Sequence, residues 1–315
     1  MSDQKQSTRD GFGVGLLELA ASNPKVVGLC ADLTESTRMQ GFADKYPERF
    51  IQVGVAEQNM VGVAAGLALA GKIPFAASYA AFQPANSWGV IRTSVTYSNL
   101  NVKLVSSHAG LATGPDGATH QSLEDVSLMR VLPKMTVIVP ADFEEARKAV
   151  HAAAAHKGPV YLQVSRSITD PITKVDSPFQ IGKSSRLLEG DDITFISSGP
   201  IIANVLAAAS KLVEIGIRAR VINMATIKPL DVAVIREALF QTKMIITVED
   251  QQRIGGLGSA VCEVAACIAT EKTVHRVGVD DTFGESGSPD DLFKKYHLDA
   301  ESIFTKTHEL LAKVS

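Results

Sequence analysis

Six apolar runs recur through the first half of the chain: KVVGLCADL (25–33), FIQVGV (50–55), PFAASY (74–79), VKLVSSH (102–108), MTVIVPA (135–141) and PVYLQVS (159–165). They are continuous rather than alternating, as strands are when helices cover both faces of their sheet. Helical patterns separate them, notably 57–70 and DFEEARKAVHAAAAH at 142–156. This β-α-β-α order predicts a mostly parallel, doubly wound α/β sheet. The rhythm fails from Ser167 to about Gly190, where two prolines and scattered Ser and Asp predict a linker. It resumes with ITFISSG (193–199), RARVINM (218–224), MIITVED (244–250) and VHRVGV (274–279). Helical stretches at 201–214, 231–241 and 257–270 alternate with these strands, and a helical tail follows. Two doubly wound domains are expected: residues 1–185, including the linker from about 167, and a smaller α/β unit over 190–315.

Near the start, Phe12, Leu16, Leu19 and Ala20 share one face of an amphipathic helix, and Glu18 interrupts the apolar run, so no signal peptide is expected. No apolar stretch reaches the ~18 to 20 residues of a membrane span. With 31 basic against 34 acidic residues, the formal charge of -3 offers nothing to nucleic acid or to an anionic membrane. Cys30, Cys262 and Cys267 are too few and too scattered for a disulfide framework or a zinc site. Each falls in an apolar run, so three buried thiols in a reducing, cytoplasmic setting are expected.

Ligands of such sheets bind at the carboxyl ends of the strands. The polar and aromatic residues placed there are Asp32, Ser36, Glu57, Tyr79, Phe82, His108 and Arg166. Glu57 opens a helix of small apolar residues. Two readings stand: a first-turn charge complementing the helix dipole, worth about 0.3 to 1 kcal/mol, or a dry carboxyl acting as acid or base. Its flanks Val53, Val55, Met60 and Val61 leave little water for an ordinary charge. In SSHAGLATGPDGATHQSLEDVSLMRVLP (106–133), glycines 110, 114 and 117 with Pro115 predict a loop that is neither helix nor strand. His108, Asp116 and His120 lie on or beside it. A zinc site there lacks a nearby cysteine ligand. GGLGSA (255–260) could hold a phosphate at a helix entry. It lacks the full dinucleotide fingerprint and follows the third strand of its unit, so close packing is the expected use of its glycines. No P-loop and no GxSxG elbow occurs.

Taken together, GVAEQNM, YAAF, HAGLATGPDGATHQSLEDVSLMRVLP and VSR resemble the carboxyl-terminal half of transketolase. More closely, they resemble the separate C-terminal subunit found where that enzyme is split into two chains. The similarity runs from about Thr8 to the end. Pro115 and Ser122 depart from the usual pattern at positions that carry no chemistry.

The resemblance implies thiamine diphosphate as cofactor, with Glu57 sharing a proton with its aminopyrimidine ring. Phe82 would stack on that ring, Tyr79 would wall the pocket, and Asp32 would lie near the cofactor. His120 would contact the reacting oxygen of a donor ketose and Asp116 would read a sugar hydroxyl. Arg9, Ser36, His108 and Arg166 match sugar-phosphate contacts; guanidinium groups offer paired donors to phosphate oxygens. The diphosphate and its Mg²⁺ (or Ca²⁺) are held in the family by a GDG motif followed by Asn, and no such pair occurs here. An N-terminal partner subunit in an α₂β₂ assembly is therefore implied, with this chain inactive alone, in two-carbon transfer of the pentose phosphate type. The alternatives are a 1-deoxy-D-xylulose-5-phosphate synthase-like enzyme, a 2-oxoacid dehydrogenase beta subunit, and a non-catalytic regulatory subunit of the same fold.

Overall fold

The computed structural model describes residues 5–313. Its first half contains strands β1 (Gln6–Ser7), β2 (Val26–Cys30), β3 (Phe50–Gln52), β4 (Ile73–Tyr79), β5 (Lys103–Ser107), β6 (Thr136–Ile138), β7 (Val160–Gln163) and β8 (Ile168–Thr169). The second half adds β9 (Ser185–Leu188), β10 (Ile193–Ser197), β11 (Ala219–Asn223), β12 (Thr226–Lys228), β13 (Met244–Gln252) and β14 (Thr273–Val279). One sheet has the order β12-β6-β7-β5-β4-β2-β3, parallel except at β12; the other runs β14-β13-β10-β11-β9, parallel except at β9. Every residue of β2, β5 and β10 is buried, as continuous apolar runs require.

Helices cover the faces. In the first half they are α1 (Thr8–Ser22), α2 (Gln40–Lys45), α3 (Glu57–Leu69), α4 (Trp88–Val90, continued by a π-turn Ile91–Thr96), α5 (Asp125–Arg130) and α6 (Phe143–Ala155). In the second they are α7 (Ile202–Glu214), α8 (Val232–Gln241), α9 (Leu257–Ala266), α10 (Pro289–Lys295) and α11 (Ala300–Ala312). Ser7 and Asp10 form a reciprocal cap at the start of α1, so the helix begins ahead of its apolar face. Phe12, Leu16, Leu19 and Ala20 are all buried along it. Gly11 and Gly15 lie against the backbone of α6, and a Cβ on Gly13 would press on the Arg38 carbonyl at 2.9 Å. That close approach brings the 32–39 turn onto α1.

Several expectations change. The segment 167–190 is not linker throughout: β8 pairs with β1, and β9 forms an antiparallel edge of the second sheet. An edge strand with alternating exposure has no continuous apolar run to announce it. The Gly-rich loop contains a 3₁₀ turn, Leu111–Asp116, interrupted at Gly114, whose φ is +72°. The helix expected over 257–270 ends at Ala266. Cys30 is buried, but Cys262 is half-buried and Cys267, at the end of α9, is exposed. Val55, expected to shield Glu57, is 81% exposed. No helix among the described residues is long and apolar enough to cross a membrane.

The two halves are joined by more than the chain. β12 leaves the second unit and pairs with β6, and one apolar core runs from Val27, Met60 and Tyr161 through Ile222, Ile227 and Leu257. Buried acids line this seam. Glu145 of α6 accepts hydrogen bonds from Ala141 N (2.7 Å) and from Asn223 Nδ2 of β11 (2.8 and 3.0 Å). Burial pushes its carboxyl up to about 7. The folded chain thus keeps a proton that the unfolded chain, at the ordinary carboxyl value, has lost. Stability from this group is full at low pH and falls as the pH climbs through about 7. Glu145→Gln mimics the protonated form, and Asn223 can turn its otherwise unpartnered Oδ1 toward the new amide. The expected outcome is a melting temperature close to that of the parent at pH 5 and raised at pH 8, by about 1 to 3 kcal/mol in stability. Thermal melts across that range check it, and a variant less stable at pH 8 than at pH 5 relative to the parent contradicts it.

Candidate active site at the strand ends

Parallel pairing of β2 through β7 delivers each strand's C-terminal loop to one rim. From β2 the chain runs to β3 on one side and then to β4 on the other, so a crevice opens where the order reverses. Glu57, at the first turn of α3 after β3, is only 8% exposed. Its Oε1 accepts the Ser78 hydroxyl at 3.1 Å from the neighbouring β4. Its other oxygen has no side-chain donor among the described residues. Gln58 Nε2 donates to Asn86 O at 2.8 Å, tying the start of α3 to the turn that carries Phe82. A carboxylate with one filled acceptor and one open acceptor is thereby fixed beside an aromatic wall.

That wall is continuous. Tyr79 and Phe82 stack with ring centroids 5.8 Å apart and planes at 14°, and Tyr79 stacks in turn on His108 at 3.8 Å. His120 stands edge-on to Phe82 at 5.4 Å and to Tyr79 at 6.3 Å. Its Nδ1 is within 2.9 Å of the Thr119 hydroxyl, which orients the ring. Tyr79, Phe82 and His120 are half-buried. A buried carboxyl with an open oxygen and a half-buried aromatic wall are the acceptor and the stacking surface that an aminopyrimidine ring calls for, so the residues present fit such a group.

A cationic group lies on the far side of Tyr79. His108 is buried at φ +57°, with Nδ1 2.8 Å from the Ser107 hydroxyl. Burial, followed by Arg9, Arg166, His120 and Arg38, lowers its pKa to about 3. His108 is therefore a neutral imidazole at physiological pH. Arg9 donates to the backbone carbonyl of Ser36 at 3.0 Å, while its buried Nε has no partner. Burial lowers its pKa first, and neighbouring Arg38 lowers it further. Arg38 is held by Asp10 at 2.6 Å. Arg166 bonds Asp116 at 3.2 Å and the Thr113 carbonyl at 3.4 Å. Clustered guanidinium groups with an unfilled donor invite an anion. Asp32 sits apart from them, exposed at φ +60°, its N–H donating to Gln52 Oε1 at 2.7 Å.

The structure thus gathers Glu57, Tyr79, Phe82, His108 and His120 through ring contacts and the α3 turn, and Arg9, Asp116 and Arg166 around His108. Ser36 takes part through its carbonyl rather than its hydroxyl. Two side chains passed over in the sequence join them. Ser78 reads as one more residue of a buried strand, and Arg38 as a surface charge until Gly13 admits it to α1. The GGLGSA segment is internal packing: Glu249 accepts Leu257 N at 2.7 Å and Gly258 N at 2.8 Å, and a Cβ on Gly256 would collide with that carboxylate. Among the described residues, no cluster of three or more His, Cys, Asp or Glu is placed to hold a metal ion. A separate cavity of about 480 Å³ lies between the two units, and Arg166 is the only one of these candidate residues on its wall.

The sequence and fold have counterparts among known proteins. Residues 4–171 match the transketolase pyrimidine-binding domain, and residues 182–303 match the transketolase C-terminal domain. A 6-deoxy-6-sulfo-D-fructose transketolase subunit from a Clostridium species is 42% identical, covering 96% of this chain and 94% of its own. An apulose-4-phosphate transketolase subunit from Phocaeicola vulgatus is 36% identical over 99% of this chain and 100% of its own. A split-gene transketolase solved as an inactive β4 tetramer superposes with a TM-score of 0.91 at 44% identity, covering 98% of this chain and 99% of that one. The chain therefore belongs to the transketolase family, and its two units are the pyrimidine-binding and C-terminal domains of that family.

Proposed function

We propose that the chain is the C-terminal subunit of a thiamine-diphosphate-dependent transketolase, moving a two-carbon ketol unit from a ketose with an anionic terminus to an aldose phosphate. The observation that carries this reading is Glu57, held dry by Ser78 with one oxygen open beside the Tyr79–Phe82 wall. When bound, the cofactor supplies the nucleophilic carbon and the electron sink for cleaving a carbon–carbon bond next to a carbonyl.

In this reading Glu57 holds a proton at the pyrimidine ring edge, and burial keeps water from competing for it. Phe82 stacks on the ring face and Tyr79 closes the side toward His108. His120 donates to the donor's carbonyl oxygen. Asp116, tied to Arg166, reads a sugar hydroxyl. Arg9, Arg38 and Arg166, with neutral His108 among them, receive the phosphate or sulfonate; the sulfofructose and apulose-phosphate relatives support an anionic terminus of either kind. Asp32 lies on the cofactor side. Mg²⁺ and the diphosphate are assigned to an N-terminal partner subunit, because the sequence lacks the GDG-to-Asn pair. The inactive tetramer formed by the split-gene relative supports a requirement for that partner.

The partner's seat is assigned to the outer stripe of α3 and its entry. Val55, Asn59, Gly62, Gly66 and Leu69 are exposed at helical spacing, and Cβ atoms on Gly62 and Gly66 would meet open space. Such a stripe of small and apolar residues allows another backbone to approach closely. Gly66→Trp is expected to leave the isolated chain folded, with its melting temperature within a few degrees of the parent, and to abolish co-elution with the partner. Co-elution at parental strength contradicts the assignment.

The central test mixes the purified chain with an N-terminal transketolase subunit from the same source, thiamine diphosphate and Mg²⁺, over a panel of ketose phosphates, a sulfonated ketose and hydroxypyruvate. Transfer by the pair and none by either chain alone is expected; turnover by the isolated chain overturns the two-chain reading. Glu57→Gln in the pair should lower kcat by at least about 100-fold, a loss of ~2.7 kcal/mol or more, with assembly unchanged. Near-parental turnover refutes the proton-holding role.

A further inference from the structure

The turn that carries Asp116 is held from the second unit as well as its own. Asp250, at the carboxyl end of β13, accepts Leu111 N–H through Oδ1 at 2.9 Å and Ala112 N–H through Oδ2 at 3.3 Å. These are the first two amides of the Leu111–Asp116 turn, where no earlier residue of the turn can accept from them. Gly110 makes the approach possible: its φ is +76°, and a Cβ there would collide with Asp250 Oδ2. Further along, Gln121 Nε2 bridges Gly114 O at 2.8 Å and Glu285 O at 2.9 Å. Gln252 N donates to Leu123 O at 2.8 Å. A Cβ on Gly117 would sit 2.6 Å from Ser286 Oγ. The loop from 110 to 123 is thus bracketed by residues 250–252 and 284–289.

We infer that Asp250 is a positioning residue: it sets the place of Asp116 and Arg166 relative to the donor sugar, and this is what the second unit contributes to the reaction. The inference rests on the transketolase reading above. A single carboxyl that accepts two adjacent N–H groups, one on each oxygen, fixes both ends of that peptide at once. Asp250 also lines the 480 Å³ cavity behind the turn. Without its carboxylate the two amides can take water from that cavity, so the turn survives but is free to move back. Asp116 and its partner Arg166 would follow. His120 would not, because the ring edges of Phe82 and Tyr79 and the neighbouring Gln121, bonded to Glu285 O, hold it from outside that turn. The predicted loss therefore falls on donors long enough to reach Asp116 and Arg166.

The test uses the reconstituted pair carrying Asp250→Ala, and Asp250→Asn, which keeps the volume but offers one acceptor in place of two. For the best ketose phosphate of the panel, Asp250→Ala should lower kcat/KM at least tenfold, chiefly through KM, with Asp250→Asn intermediate. For hydroxypyruvate, which has no group to reach Asp116 or the arginines, kcat/KM should change by less than threefold, as should the Kd for thiamine diphosphate. Ketose-phosphate kinetics within twofold of the parent overturn the inference, and so do equal losses on both donors, which signify general disruption. If the parent pair transfers from no donor, it is the functional reading that fails. Amide exchange at Leu111 and Ala112 then still decides the clamp: at least hundredfold faster exchange in Asp250→Ala with β13 unchanged supports it, and parental protection overturns it.

Discussion

Parallel hydrogen bonding is the constraint from which the rest of this structure follows. Strands β2, β3, β4, β5 and β7 all point the same way, so their carboxyl ends open onto a single rim. Glu57, Tyr79, His108 and Arg166 are far apart in sequence but follow successive strands, and the sheet alone makes them neighbours. Ser78 on β4 reaching Glu57 after β3 is the direct result. An antiparallel sheet with the same strands would put half of these side chains at the opposite edge.

Burial then divides the labour along that rim. On one side of Tyr79 a carboxylate is kept dry and its acceptor open; on the other, guanidinium groups crowd around an imidazole too buried to charge. A buried carboxyl and a cluster of guanidinium groups are thus set along one aromatic wall. The second unit closes this arrangement from behind. β12 extends the first sheet, Asn223 reaches Glu145, and Asp250 reaches the turn before Asp116. The seam is lined with carboxyls that burial pushes toward neutrality, including Asp125 at about 6 and Asp250 at about 7.

Much of this is legible in the residues alone. Positions under two constraints at once, such as Glu57 at a strand-to-helix junction or His120 beside a run of glycines, stand out because ordinary packing does not call for them. Ser78 and Arg38 do not stand out. A serine in a buried strand satisfies the pattern whether or not it holds a carboxylate, and an arginine two residues past Ser36 looks like any surface charge. β9 and β12 leave no signal because three or four residues with polar alternation carry too little periodicity to register. Cys267 is exposed against expectation because local apolar context does not say where a helix stops.

The sequence by itself determined the class of fold, the order of its long apolar strands along the chain and the residue types at their ends, since those depend on local periodicity and on the short reach of turns. Tertiary structure alone decided that Asp250 belongs with Leu111 and Ala112, that Asn223 belongs with Glu145, and that Gly13 admits Arg38. Each of those contacts joins positions whose sequence neighbours carry no trace of the other. Only the packing of distant elements against one another brings them within hydrogen-bonding distance.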